Sequence, residues 1–80
     1  MLVPLYGFLR GDTIGLVVLC DSDDTMAQVA ESLQRAAAMR VAPRPGQRVW
    51  FDGRPLDPRL TVARAGLQPL DRIDVAPEDP

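Results

Sequence analysis

The residues that could carry chemistry fall at three places along this chain. Cys20 stands directly before Asp21, Asp23 and Asp24; Arg40, Arg44 and Arg48 follow at four-residue spacing; and Trp50 sits between Val49 and Phe51. Carboxylates at positions 21, 23 and 24 are hard oxygen donors of the kind that hold Ca²⁺ or Mg²⁺, but the stretch lacks the glycine and terminal glutamate of a cation-binding loop. It reads instead as a polar turn whose negative charge suits the start of a following helix. A cysteine attacks only as its thiolate, and no basic neighbour is present to lower the pKa of Cys20, so it reads as a small buried apolar side chain. The three arginines read either as cations gathered near a helix C-terminus or as forks that take the carboxylates of a partner.

What is missing narrows the chemistry further. The 80 residues include no histidine, and all nine basic side chains are arginine, so there is no lysine either. The commonest general base and the commonest transition-metal ligand are therefore absent together. A Ser-His or Cys-His nucleophile pair, a Schiff-base amine and a phosphate-binding P-loop are all excluded, and no Cys-x-x-Cys zinc pattern occurs. No catalytic, cofactor-binding or metal-ligating residue is expected on this chain. The net charge of −2 and pI near 4.8 leave no basic footprint for nucleic acid. No apolar run approaches the roughly 20 residues that span a bilayer. A single cysteine cannot form an internal disulfide, which points to a reducing cytoplasm. The N-terminal stretch lacks the basic n-region of a signal peptide and reads as a first strand.

Residues 1–80 make one domain, with 77–80 expected as a loose tail. Residues 2–9 and 13–20 are apolar and rich in β-branched side chains, and the break at Arg10-Gly11-Asp12 makes them a hairpin. Thr25 and Gln28 have the spacing of a capping box. Met26, Val29, Ala30, Leu33 and Ala37 then form the stripe of an amphipathic helix, which Pro43 and Pro45 end. A strand over residues 47–51 meets the tight-turn pair Asp52-Gly53, and Pro55 confines the return segment to a sheet edge. Thr61 to Gly66 reads as one helical turn, capped by Thr61 and stopped by Gly66 in a left-handed conformation. Arg72-Ile73-Asp74-Val75 alternates with period two and closes the chain as a strand. This order predicts an α+β protein of β-grasp type, a mixed four- to five-stranded sheet with one main helix on one face. Val49, Leu56, Val62, Leu67, Ile73 and Val75 should meet Val29 and Leu33 in the core.

A sheet covered on one face should alternate apolar and polar residues, and the first hairpin does not. If Val3, Leu5, Leu16, Val18 and Cys20 point inward, then Tyr6, Phe8, Val17 and Leu19 point outward; the opposite parity leaves a similar surplus. Trp50 takes the face opposite Val49 and Phe51. An outward patch with Trp, Tyr and Phe has the composition of a protein-binding hot spot. The bland alternative is that arginine stems half-cover Trp50. The candidate partner interface is therefore Trp50, Tyr6, Phe8, Val17 and Leu19, with Arg40, Arg44 and Arg48.

The segment from Phe51 to Leu56, followed by Leu60-Thr61-Val62, Gly66-Leu67 and Ile73-Asp74-Val75, resembles the second half of ubiquitin-like domains. Over nearly the whole chain, Asp24 to Glu31, Arg40-Val41-Ala42-Pro43-Arg44-Pro45-Gly46, Leu56 to Ala63, Gly66-Leu67-Gln68-Pro69 and Ile73-Asp74-Val75 resemble the small subunit of bacterial multicomponent toluene and alkene monooxygenases, the toluene-4-monooxygenase system protein B family. The Arg-Val-Ala-Pro-Arg block is the most distinctive part. The resemblance implies a noncatalytic small subunit of a diiron hydroxylase. It would pack on a large subunit that holds the iron and be accompanied by a second helical subunit. The absence of histidine agrees with iron lying elsewhere, since such sites use Glu-x-x-His pairs. The tidy Asp-Gly turn of residues 51–56 is closer to stand-alone ubiquitin-like proteins, so an adaptor, for example of a specialised secretion system, is the second reading. Covalent conjugation is not expected, because Glu78-Asp79-Pro80 offers no diglycine.

Overall fold

Both faces of the first hairpin are apolar, and the helix decides which of them goes inside. In the computed structural model, which describes residues 1–78, β1 (Leu2–Leu9) pairs antiparallel with β2 (Gly15–Asp21) in unbroken register, Val3 opposite Cys20 and Tyr6 opposite Val17. Val3, Leu5, Leu9, Val18 and Cys20 are buried beneath α1 (Met26–Ala36). Gly7 belongs to that inner row, and a Cβ there would lie 3.0 Å from Leu33 Cδ2. The missing side chain lets the helix settle closely onto β1.

The helix starts where the capping box places it. Thr25 Oγ1 accepts from the Gln28 amide, and Gln28 Oε1 accepts from the Thr25 amide. The two remaining first-turn amides are also used, Met26 N–H donating to Leu60 O (2.7 Å) and Ala27 N–H to Pro58 O (3.0 Å). Each N-terminal donor, which a helix cannot satisfy internally, thus finds an acceptor within the chain. Met26, Val29, Ala30, Leu33 and Ala37 form the buried stripe.

The helix does not run to Pro43. It ends at Ala36, with Ala37 as its cap, although the alanines that follow favour helix. Tertiary contacts override that propensity. The Arg40 guanidinium grips Asp12 through three hydrogen bonds of 2.9–3.2 Å, and Val41 packs against the core, so the chain must turn before the prolines.

β3 (Gln47–Phe51) then turns at Asp52 (φ 52°) and Gly53 (φ 77°) into the short β4 (Arg54–Pro55). Both turn residues are left-handed, as a two-residue hairpin of matching twist requires. The single turn α2 (Val62–Ala65) has Thr61 as N-cap and Gly66 at φ 73° as its stop. β5 (Arg72–Pro77) enters the middle of the sheet, parallel to β1 and antiparallel to β3, giving the order β2-β1-β5-β3-β4. This is the mixed five-stranded β-grasp sheet with one main helix. Val49, Val62, Leu67, Ile73 and Val75 are buried with Val29 and Leu33, and Leu56 packs against them partly covered.

The C-terminal stretch is more ordered than the loose tail expected from residue 77. Pro77 ends β5 opposite Gln47, and the Glu78 carboxylate reaches Arg48 at 2.7 Å. The remainder of that expected tail, residues 79–80, lies outside the described residues. No helix among the described residues is long and apolar enough to cross a membrane.

Candidate docking surface

Alternation along β1 and β2 sends Tyr6, Phe8, Val17 and Leu19 to the face of the sheet away from α1. Tyr6 is 41% exposed, Val17 61% and Leu19 64%, while Phe8 is half-buried. The Tyr6 and Phe8 rings meet edge-on, with centroids 4.8 Å apart at 63°. They lean over Gly15, where a Cβ would lie 2.7 Å from Phe8 Cζ and 2.7 Å from Tyr6 Cε1. On the next strand the Arg72 guanidinium stacks 4.1 Å above the Phe8 ring, a cation–π contact. Its Nε also faces Asp74 Oδ1 at 3.4 Å. Trp50 stands opposite Asp74 in the sheet and is half-buried, its indole N–H donating to Ala76 O at 3.3 Å. Phe8, Arg10, Trp50, Arg72 and Asp74 line a shallow groove of ≈ 350 Å³.

Of the two parities the sequence left open, the chain adopts the one that turns Val3, Leu5 and Val18 inward, and all five apolar candidates share the outer sheet face. Pattern reading missed three contributors to it. Arg72 and Asp74 carried a signal, since period-two alternation with Ile73 and Val75 inward places both outward. Gly15 is an isolated glycine in a strand pattern, which marks close approach, here by two aromatic rings.

The three arginines do not form one cluster. Arg40 is bound bidentately to Asp12, whose side chain is only 2% exposed. The hydrogen-bonded Arg40 guanidinium, more than any other group, holds the Asp12 carboxyl below the ordinary carboxylate range. Arg48 donates through Nε and Nη2 to Leu56 O and through Nη1 to Glu78. Arg44 lies in the loop after the helix, where its backbone amide donates to Gln34 Oε1, and no ion pair of its side chain is found among the described residues. Two of the three forks therefore brace the fold.

The remaining candidates for chemistry are structural as well. Cys20 is buried, and burial, helped by the nearby Asp24 charge, pushes its thiol up to about 11. Asp24 Oδ2 accepts from the Asp21 amide and Asp21 Oδ1 from the Asp23 amide, so the carboxylates tie their own turn. Among the described residues no three His, Cys, Asp or Glu side chains converge on a point that could hold a metal ion.

A five-stranded mixed sheet gripping one helix, with aromatic residues on its outer face, defines a ubiquitin-like β-grasp fold. The family model of toluene-4-monooxygenase system protein B matches residues 2–76, and the chain belongs to that family. Among solved structures it is similar to a chain of the toluene 4-monooxygenase HD complex with the inhibitor 4-bromobenzoate. Identity there is 33% and the TM-score 0.90, over 98% of this chain and 100% of that one. Ubiquitin of Caldiarchaeum subterraneum matches at 18% identity and a TM-score of 0.75, covering 94% of this chain and 91% of its own. A de novo design based on ubiquitin matches at 22% identity and 0.78, over 99% and 92% of the two chains. These last two share the fold alone. No curated protein matches the chain.

Proposed function

We propose that this chain is the noncatalytic small subunit of a multicomponent toluene-type diiron monooxygenase hydroxylase. It docks through the outer face of its sheet onto the large iron-containing subunit, beside a second helical subunit. The observation that carries the reading is the end-to-end similarity to a chain of the toluene 4-monooxygenase complex, over 98% and 100% of the two lengths. The surface chemistry fits it. Tyr6, Phe8, Val17 and Leu19 form an apolar patch on the outer face, and Trp50 joins it from β3 across the charged Arg72–Asp74 pair of β5. Arg44 remains as a rim cation for a partner carboxylate.

The iron pair implied by the family does not suit this chain. Histidine is absent, the Asp21 and Asp24 oxygens already accept turn amides, and the Cys20 thiol is held protonated. No step of oxygen chemistry is assigned to any residue here. The subunit's work is to bind and to shape its neighbour.

The test is coexpression with the two larger hydroxylase subunits, followed by size-exclusion chromatography and iron analysis. The chain should co-elute in the iron-containing fraction; elution only as a free 8.8 kDa species would overturn the assignment. Trp50→Ala separates docking from folding. Losing a half-buried ring and one hydrogen bond costs about 1–2 kcal/mol of stability. At the centre of an interface the same truncation weakens association by about 30-fold or more. A folded Trp50→Ala chain that assembles with unchanged affinity removes Trp50 from the interface.

A further inference from the structure

The two edges of the sheet are treated differently. At one edge β4 is two residues long and carries Pro55, which offers no N–H for pairing. At the other, β2 is seven residues long and holds no proline, bulge or cation. Its backbone can be accounted for residue by residue. Ser22 N–H donates to Met1 O on the β1 side, and antiparallel strands alternate the direction of their amides. Leu16, Val18 and Cys20 therefore bond to β1, whereas the N–H and C=O groups of Gly15, Val17, Leu19 and Asp21 point away from it. β1 repeats the same parity, because Tyr6 N–H and Arg10 N–H donate to Asp71 and Val75 on the β5 side. The outward amide of Asp21 is taken by the Asp24 carboxylate at 2.9 Å. No strand among the described residues pairs with the outward groups of Gly15, Val17 and Leu19, β2 being an edge of the sheet.

From this we infer that β2 is a strand-addition site, and that its occupant is an extended segment of a different polypeptide. That segment is about five residues long, apolar at alternate positions and basic at the end beside Asp21–Asp24. Val17 and Leu19 present unpaired backbone and exposed apolar side chains at once, so an added strand extends both the ladder and the outer face. Charge decides against a second copy of this chain. Antiparallel self-pairing across Val18 sets Asp21 opposite Gly15 and brings the partner's Thr13 and Ile14 towards the acidic turn, with no cation to meet it. The inference rests on the subunit reading and adds the geometry of the contact.

Residue-resolved amide exchange of the wild-type chain, free and assembled with the larger hydroxylase subunits, tests it. In the complex the Val17 and Leu19 amides should exchange about a hundredfold more slowly than in the free chain, with little change at Val18. Leu19→Pro removes an outward N–H that β1 does not use, so the hairpin survives, and it should weaken assembly about tenfold or more. Leu19→Thr, which keeps the donor, should weaken it less. A complex that forms with Val17 and Leu19 unprotected sinks the strand addition and leaves the subunit reading intact. Failure to form any complex sinks both. Protection of these amides in the free chain that rises with its concentration identifies the occupant as a second copy and overturns the choice of partner.

Discussion

Replacing Gly15 by alanine adds one methyl group to an exposed strand face, where alanine ordinarily helps. The Gly15 backbone is not left-handed, so the substitution should gain about 0.5–1 kcal/mol through lower chain entropy. The aromatic cover reverses the sign. The new Cβ would stand 2.7 Å from both Phe8 Cζ and Tyr6 Cε1 and 2.8 Å from Phe8 Cε2, about 1 Å inside ordinary carbon contact. Both rings must swing outward, which forfeits the edge-on pair, about 0.5–1.5 kcal/mol, and the Arg72 stack, about 0.5–1 kcal/mol. The net is a destabilisation centred on about 1 kcal/mol, which lowers Tm by about 4–8 °C in a chain of this size. Urea denaturation of four chains checks it: wild type, Gly15→Ala, Tyr6→Ala/Phe8→Ala, and the triple variant. Without the rings, Gly15→Ala should become neutral or stabilising. A loss of the same size in both backgrounds would show that the rings are not what glycine serves, and a stabilised single variant would refute the clash itself.

The remaining predictions concern the groups that brace the fold. Asp12 has a lower pKa folded than unfolded because of Arg40. Its contribution to stability is therefore fully present above about pH 4 and is lost as pH falls through the folded value. Asp12→Asn should destabilise the chain at pH 7 and flatten the acid limb of a stability–pH curve, with Asp21 and Asp57, also lowered, accounting for what remains. With its thiol pushed up to about 11, Cys20 should react with Ellman's reagent at pH 7.5 only as fast as the core opens; rapid stoichiometric labelling of the native chain would contradict its burial. Thr25→Ala removes one arm of the capping box and should cost about 1 kcal/mol in urea denaturation.

What the sequence made legible was local. Thr25 with Gln28, Asp52 with Gly53, and Thr61 with Gly66 are fixed by neighbours a few residues away, and each forms as its spacing requires. The parity of β1 and β2 was not legible, because both rows are apolar; it follows from Gly7 lying beneath Leu33, a contact between residues far apart in sequence. The end of α1 was misplaced for the same kind of reason. Nothing near Ala37 announces that Arg40 will close on Asp12. The arginine cluster looked coherent by spacing, yet a fork is defined by what it meets, and Leu56 O and Glu78 lie across a hairpin and a sheet from Arg48. Trp50 and its neighbours were readable as an outward patch, while the Arg72 stack on Phe8 required the parallel pairing of β1 with β5.

One consequence lies in how α1 begins. Its first amides are spent on Leu60, Pro58 and the capping box, and Val62 and Ala63 return donors to Asp24 and Ser22. Helix starts are ordinarily ready seats for phosphate or carboxylate groups, and this one has no valence left to offer. Recruitment of an anion at this end of the helix is therefore closed, so a nucleotide or phosphopeptide finds no foothold at the place where many small folds provide one.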